Sequence, residues 1–259
     1  MQCVITFPQF APGAPVVVSA TQYVTYRRCP DQARFRALGV YGSDSRQSLR
    51  GMLAHRLFYR HLTEGTLSPD RVEAVCLEEI GERYNSRLPG LGLAKMSTLR
   101  PLIREVSDLY QRFCQTSMSG FRSAEIDLMY EPSDAVTLRG TVDAVFNGED
   151  GVRLVDWKTG SLGDAQHQLD FYALLWTLAE GELPSSVEAA SVSSGDRYVA
   201  EPTPESVQAV ASSVVGLVNT VRRSVRDGGH LPQLAGPHCE WCPAVNECPE
   251  GATAVRISC

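Results

Sequence analysis

Apolar positions along the chain recur first with a helical and then with a two-residue period. Pro15–Val18 reads as a short strand or extended segment, and Ser19 as the N-cap of a helix through Tyr23, Tyr26 and Arg27. Pro30 predicts a break, with Phe35 and Leu38 in the piece that follows. From Ser48 to about Glu64, residues Leu49, Met52, Leu53, Leu57 and Tyr59 fall on one helix face; 70–87 and 97–118 read as two more amphipathic helices. The first 120 residues are therefore expected to be mainly helical. After Gly120 the period shortens, and Ala124–Tyr130, Ala135–Phe146 and Val152–Trp157 predict an antiparallel meander of three strands. A helix over Asp164–Ala179, strands at 187–193 and 197–200 and a long helix over Pro204–Arg226 follow, while the Cys- and Pro-rich last thirty residues show little regular pattern.

Alternation of this kind predicts an α/β or α+β domain, a central sheet with a helical N-terminal elaboration. With no internal repeat and no long linker, 1–259 reads as a single domain: a mainly helical part at 19–120, a core at 121–228 and a tail at 229–259. At 43% hydrophobic and 21% charged residues the composition excludes a fibrous or largely disordered chain. No run approaches the ~18 apolar residues of a membrane helix, and no basic region precedes the first apolar residues, so no membrane association and a cytoplasmic location are expected. The net charge of −6 hides an asymmetry: residues 1–60 carry eight Arg against Asp31 and Asp44. Positive charge able to hold a polyanion is gathered at the front.

Candidate chemistry concentrates in LRGTVDAVFNGEDGVRLVDWKTG, residues 138–160. Centring a hairpin on the Asn147–Gly151 turn places Asp143 opposite, or one step diagonal to, Asp156, on a face shared with Val145, Val152 and Leu154. Like charges opposed on an apolar surface are destabilising unless a divalent cation lies between them. Lys158 returns to the same face, where its ammonium can balance charge and touch a phosphate or an attacking water.

Eight cysteines, three of them within ten residues as Cys239-x2-Cys242-x5-Cys248, favour a metal or cluster site over disulfides. Four-thiolate chemistry alone admits Zn²⁺. Cys76 and Cys114 read as buried apolar residues, and Cys3 and Cys259 carry no assignment.

GTVDAVF followed by LVDWKTG resembles the active-site core of PD-(D/E)xK nucleases of the RecB-like group, whose fold is a restriction-endonuclease-like mixed sheet. The resemblance runs from about Ser19 to Pro249 and is weakest over 65–120. It implies that Asp143 and Asp156 ligate Mg²⁺ or Mn²⁺, that the backbone carbonyl of Trp157 completes the shell with its indole on the opposite face, and that Lys158 assists the hydrolytic water. Gly51 and His55 resemble the G-x-x-x-H element whose His is a further metal ligand. Gln168 and Tyr172, four apart on one helix face, resemble the Q-x-x-x-Y signature that lines the DNA site, and Glu125 resembles an acidic residue of the preceding strand. Cys29 with the three C-terminal cysteines resembles the 4Fe–4S framework of AddB-type and CRISPR-associated iron–sulfur nucleases, with Zn²⁺ the alternative.

Such a chain is expected to be a metal-dependent exonuclease acting on single-stranded or frayed DNA ends. Its rivals are a non-cleaving end-binding subunit, and a nuclease active only beside a helicase or a CRISPR integrase. No P-loop is present. Arg27, Arg28, Arg34 and Arg36, beside Cys29, are expected to form the DNA entrance.

Overall fold

The computed structural model describes residues 5–258, so Cys3 and Cys259 lie outside the described residues. A short strand β1 (Val16–Ser19) leads into helices α1 (Ala20–Arg28) and α2 (Pro30–Ala37), split as expected at Pro30. The Ser19 hydroxyl caps α1 by accepting from the Gln22 amide. Helices α3 (Arg46–Glu64), α4 (Pro69–Arg83) and α5 (Met96–Phe113) complete the helical part. Helix α3 starts two residues ahead of the expected Ser48, because Ser45 is its N-cap and Ser48 closes a reciprocal capping box with it.

The meander follows as β2 (Phe121–Ser133), β3 (Val136–Gly148) and β4 (Gly151–Lys158), each longer than its apolar run, then α6 (Ala165–Glu180), β5 (Ser186–Ser191), β6 (Arg197–Ala200) and α7 (Pro204–Asp227). The tail departs from expectation: two 3₁₀ turns at Pro237–Trp241 and Val245–Glu247 precede a helix α8 (Pro249–Ser258). That helix begins with Pro at its first position, a start signal independent of periodicity.

The six strands form one mixed sheet in the order β1-β3-β4-β5-β6, with β2 also on β3. On one face Val145, Val152, Leu154 and Val187 pack under α1, α6 and α7; on the other, Ala144, Phe146, Val155 and Trp157 pack under α3, α4 and α5. Alternation along β3 and β4 thus feeds two cores, one per face. The second centres on stacked Phe58 and Phe113, with ring centroids 4.1 Å apart and Trp157 edge-on to Phe113 at 4.9 Å. No described helix is long and apolar enough to cross a membrane.

The position of the site follows from β3, which is too long for one partner on each edge. Strand β2 runs antiparallel along its whole length. The other edge is shared: β1 pairs in parallel with Val136–Arg139, and β4 pairs antiparallel from Ala144↔Val155 to Gly148↔Gly151. Residues 140–143 lie between the two partners, and there the sheet forks.

Candidate active site

Continuing the β3–β4 register one step beyond Ala144↔Val155 sets Asp143 against Asp156. The ladder stops short of that pair. In its place the Trp157 N–H donates to Asp143 Oδ2 at 2.7 Å. In a strand a residue's C=O points to the same side as its N–H, so the Trp157 carbonyl faces the fork too, while its indole is buried in the opposite core.

Helix α3 brings His55 to this point, with Nδ1 3.3 Å from Asp143 Oδ1. It can do so because Gly51, one turn earlier, lies against the chain leaving β4: a Cβ there would sit 3.2 Å from Thr159 Oγ1. Arg50 adds a hydrogen bond to the Thr159 carbonyl at 3.2 Å. Helix α6 supplies the other wall. Lys158 Nζ is 2.7 Å from Asp156 Oδ2 and donates to Gln168 Oε1 at 2.5 Å, while Gln168 Nε2 donates to Asp156 Oδ1 at 2.9 Å and to Tyr172 Oη at 2.8 Å. An ammonium can only donate, so the Gln168 amide has one orientation and ties three groups together. Tyr172 reaches the fork because position 140 has no side chain: a Cβ on Gly140 would be 2.9 Å from Tyr172 Cε1. Gly140 was missed in the sequence, where its signal was a glycine inside a strand pattern.

The electrostatics are those of crowded carboxylates. Burial and then the neighbouring Asp143 charge push Asp156 up to about 6, against the pull of Lys158. His55 moves up as well: burial alone would lower it, but Asp143 and then Asp156 outweigh that. Partial burial and Asp143 raise Glu125. Glu125 lies between Ala124 and Ile126, whose ladder partners Ala144 and Val142 flank Asp143, and is the one described non-glycine residue in the left-handed region, at φ 46°. Tyr172 is raised by burial and by both aspartates, so it enters any reaction as a neutral phenol.

Among the described residues no three His, Cys, Asp or Glu side chains close into metal-holding geometry. Asp156 is turned to Lys158 and Gln168, and Asp143 to His55 and the Trp157 amide. The donor set nevertheless fits a hard divalent cation: two carboxylates, an imidazole and a backbone carbonyl converge where like charges are crowded. Asp156 Oδ2 is buried and makes no well-angled hydrogen bond, only the contact with Lys158.

Beside the fork, a cleft of about 570 Å³ runs between the start of α1 and β3, lined by Ser19, Thr21, Arg139, Thr141 and Tyr172.

The cysteines gather at the far end of α1. Cys29 is buried at the α1–α2 junction and Cys239 in the first 3₁₀ turn. A Cβ on Gly251 would lie 3.2 Å from Cys248 Sγ and 3.5 Å from Cys239 Sγ. The Cys242 thiol is pushed up by burial and by the proximity of Cys29, Cys239 and Cys248. Backbone amides of Gly236 and Gly251 donate to Cys239 Sγ at 3.4 Å and Cys248 Sγ at 3.2 Å. Described cysteines are free thiols; Cys29, Cys239, Cys242 and Cys248 bring the donor type of a four-thiolate site without closing into metal-holding geometry. Cys76 is buried as expected; Cys114 is only half-buried, 3.7 Å from His61 Nδ1.

The basic segment divides. Arg34 is buried at 9% exposure, 4.0 Å from Asp31 and over the Phe35 ring, so it faces the protein and not a DNA entrance. Arg27 approaches Ser213, and Arg28 pairs with Asp164 at 3.6 Å. Arg36 has no carboxylate partner among the described residues and lies over Tyr41 at 5.1 Å. Sequence reasoning also missed Asp31, which accepts from His230, the Leu231 amide and Gln233 at 3.0, 3.0 and 2.9 Å and so ties α2 to the tail.

A mixed α/β fold with D…D-x-K at a sheet fork defines the class of phosphodiester-cleaving nucleases built on this core. The model of the PD-(D/E)XK nuclease superfamily matches residues 17–249, and the chain belongs to that superfamily. No curated protein matches it significantly. Among solved structures it is similar to SSO0001, at 12% identity and a TM-score of 0.42 over 92% of this chain and 88% of that one. That likeness is too loose to carry an argument.

Proposed function

We propose that the protein is a Mg²⁺- or Mn²⁺-dependent deoxyribonuclease that removes nucleotides from single-stranded or frayed DNA ends. The observation that carries this reading is the meeting of Asp143 and Asp156 at the β3 fork, with His55 and Lys158 against them. His55, both aspartates and the Trp157 carbonyl are the groups to hold the ion, whose chemistry when bound is neutralisation of phosphate charge and a lowered pKa for the attacking water. Lys158 orients that water and offsets charge growing on the phosphate. Gln168 holds Lys158 and Asp156 in register, and Tyr172 and Glu125 border the substrate. A 4Fe–4S cluster on Cys29, Cys239, Cys242 and Cys248 is the structural staple of this reading, closing the tail onto α1 and α2.

Purified protein with Mn²⁺ should degrade labelled single-stranded DNA. Asp156→Asn and Lys158→Ala should each lower the rate by at least about 100-fold while DNA affinity stays within a few-fold. Full activity in either variant overturns the assignment. Anaerobically prepared protein should be brown and contain iron and acid-labile sulfide; stoichiometric zinc without sulfide decides for the zinc site.

A further inference from the structure

A second cavity, of about 290 Å³, lies between the basic helices and the cysteine-bearing tail, lined by Arg28, Gln32, Arg36, Tyr41, Gly42, His238, Trp241 and Pro243. Its composition differs from the rest of the surface. Tyr41 and Trp241 are 61% and 58% exposed, whereas Trp157 and Trp176 are buried. Two large amphipathic rings left in water on separate segments, with two arginines between them, are the parts of a stacking platform: every base has a π-face, and the phosphates between bases need cations.

Two side chains of the lining have a buried polar atom left without a hydrogen bond, Arg36 Nε and His238 Nε2. Arg36 has no carboxylate partner among the described residues and lies over one face of the Tyr41 ring, 5.1 Å from its centroid.

Both walls lead to the active site. Arg28 pairs with Asp164, the N-cap of α6, one helical turn and about 6 Å of rise before Gln168. The loop bearing Tyr41 and Gly42 packs on the Trp241 carbonyl and runs into α3, whose Arg50 binds the Thr159 carbonyl next to Lys158.

We propose that this groove binds single-stranded nucleic acid, with one or two bases stacked on Trp241 and Tyr41 and adjoining phosphates on Arg36 and Arg28, and that it leads the strand to the fork. This deepens the proposed function and rests on its single-stranded substrate. The groove selects strands whose bases are free, since a paired base presents no open face to the rings.

Binding is measured without divalent ion, so that cleavage plays no part. Oligothymidylate should quench Trp241 fluorescence saturably, and Trp241→Phe should abolish the quenching while retaining binding by anisotropy. Tyr41→Ala and Trp241→Ala should each weaken oligothymidylate binding about 5- to 150-fold and leave affinity for a base-free deoxyribose-phosphate chain unchanged. Arg36→Ala should weaken both ligands and reduce the slope of log affinity against log salt by about 0.7.

Unquenched Trp241 at saturation, or unchanged affinity in a Tyr41→Ala, Trp241→Ala double variant, overturns the proposal. Tyr41 is in a loop apart from the cysteines, so its variant keeps the test decisive should Trp241→Ala fail to fold. Cleavage by a protein whose Trp241 stays silent sinks this route alone. Binding with quenching but no cleavage under Mn²⁺ sinks the nuclease reading alone.

Discussion

Replacing Asp31 with Ala tests both the closure of the tail and the displacement of Arg34 from the DNA entrance. The carboxylate is 2% exposed and accepts three hydrogen bonds from the segment 230–233, with Arg34 4.0 Å away. Hydrogen bonds to a charged group are worth about 1.5–3 kcal/mol each. The half-exposed His230 regains water when its bond is lost, which removes most of its share. Leu231 N–H and Gln233 lose more, and Arg34, at 11% side-chain exposure, keeps a buried charge without its carboxylate. The expected cost is about 3–4 kcal/mol, near that for breaking a buried pair; at about 2–4 °C per kcal/mol it lowers Tm by roughly 6–16 °C. Urea unfolding followed by circular dichroism measures it. An Asp31→Ala, Arg34→Leu double variant should recover about 1 kcal/mol by removing the stranded charge. A loss below about 1 kcal/mol for Asp31→Ala, or a marked fall in DNA affinity for Arg34→Ala, would refute the reasoning.

Phe113→Ala empties a fully buried ring site against Phe58 and Trp157 and should cost about 3–5 kcal/mol by the same unfolding assay. Gly140→Ala places a methyl 2.9 Å from Tyr172 Cε1 and 3.4 Å from Leu175 Cδ2; overpacking of about 1–3 kcal/mol and a lower cleavage rate are expected, measured by unfolding and by nuclease assay. Arg46→Gln removes the two-pronged bridge to Glu105, 2.9 and 2.6 Å, between half-exposed groups, at no more than about 1 kcal/mol near neutral pH. Because its hydrogen bond to Arg46 holds Glu105 below the ordinary carboxylate range, this contribution is present above that range and fades as pH falls through the lowered value, so the two proteins' stabilities should converge in acid.

The hairpin was legible because its signals agree. A turn rich in Gly, Asn and Asp between two alternating runs fixes the register, and the register sets Asp143 against Asp156. Gln168 and Tyr172 were singled out by resemblance; helical spacing by itself says only that they share a face, where they are joined by a 2.8 Å hydrogen bond. Charge was a poorer guide: eight arginines in 60 residues say nothing of which face each occupies, and Arg34 turned inward to Asp31 while Arg36 did not. The parallel pairing of β1 with β3 was not legible either. Its partners lie about 120 residues apart, and no local pattern records which distant strand a short apolar run will join. Helix α8 escaped because ten residues beginning at a proline carry too short a stripe to show a period.

That unforeseen pairing is what turns a hairpin with two aspartates into a site. A strand has two edges, and β2 occupies one of them along the length of β3. Were β4 to pair along all of the other, Asp143 and Asp156 would be opposed on a closed ladder, and the Trp157 amide and carbonyl would be spent on β3. With β1 holding Val136–Arg139, the β3–β4 ladder stops at Ala144, and the four residues between the two partners carry Gly140, which admits Tyr172, and Asp143, which takes the Trp157 amide in the ladder's place. The Trp157 carbonyl and the two carboxylates then border one gap, beside the cleft that Gly140, Thr141 and Tyr172 share with the start of α1. The length of β1 therefore sets where the fork opens: extending its pairing past Arg139 would close the gap that the chemistry needs.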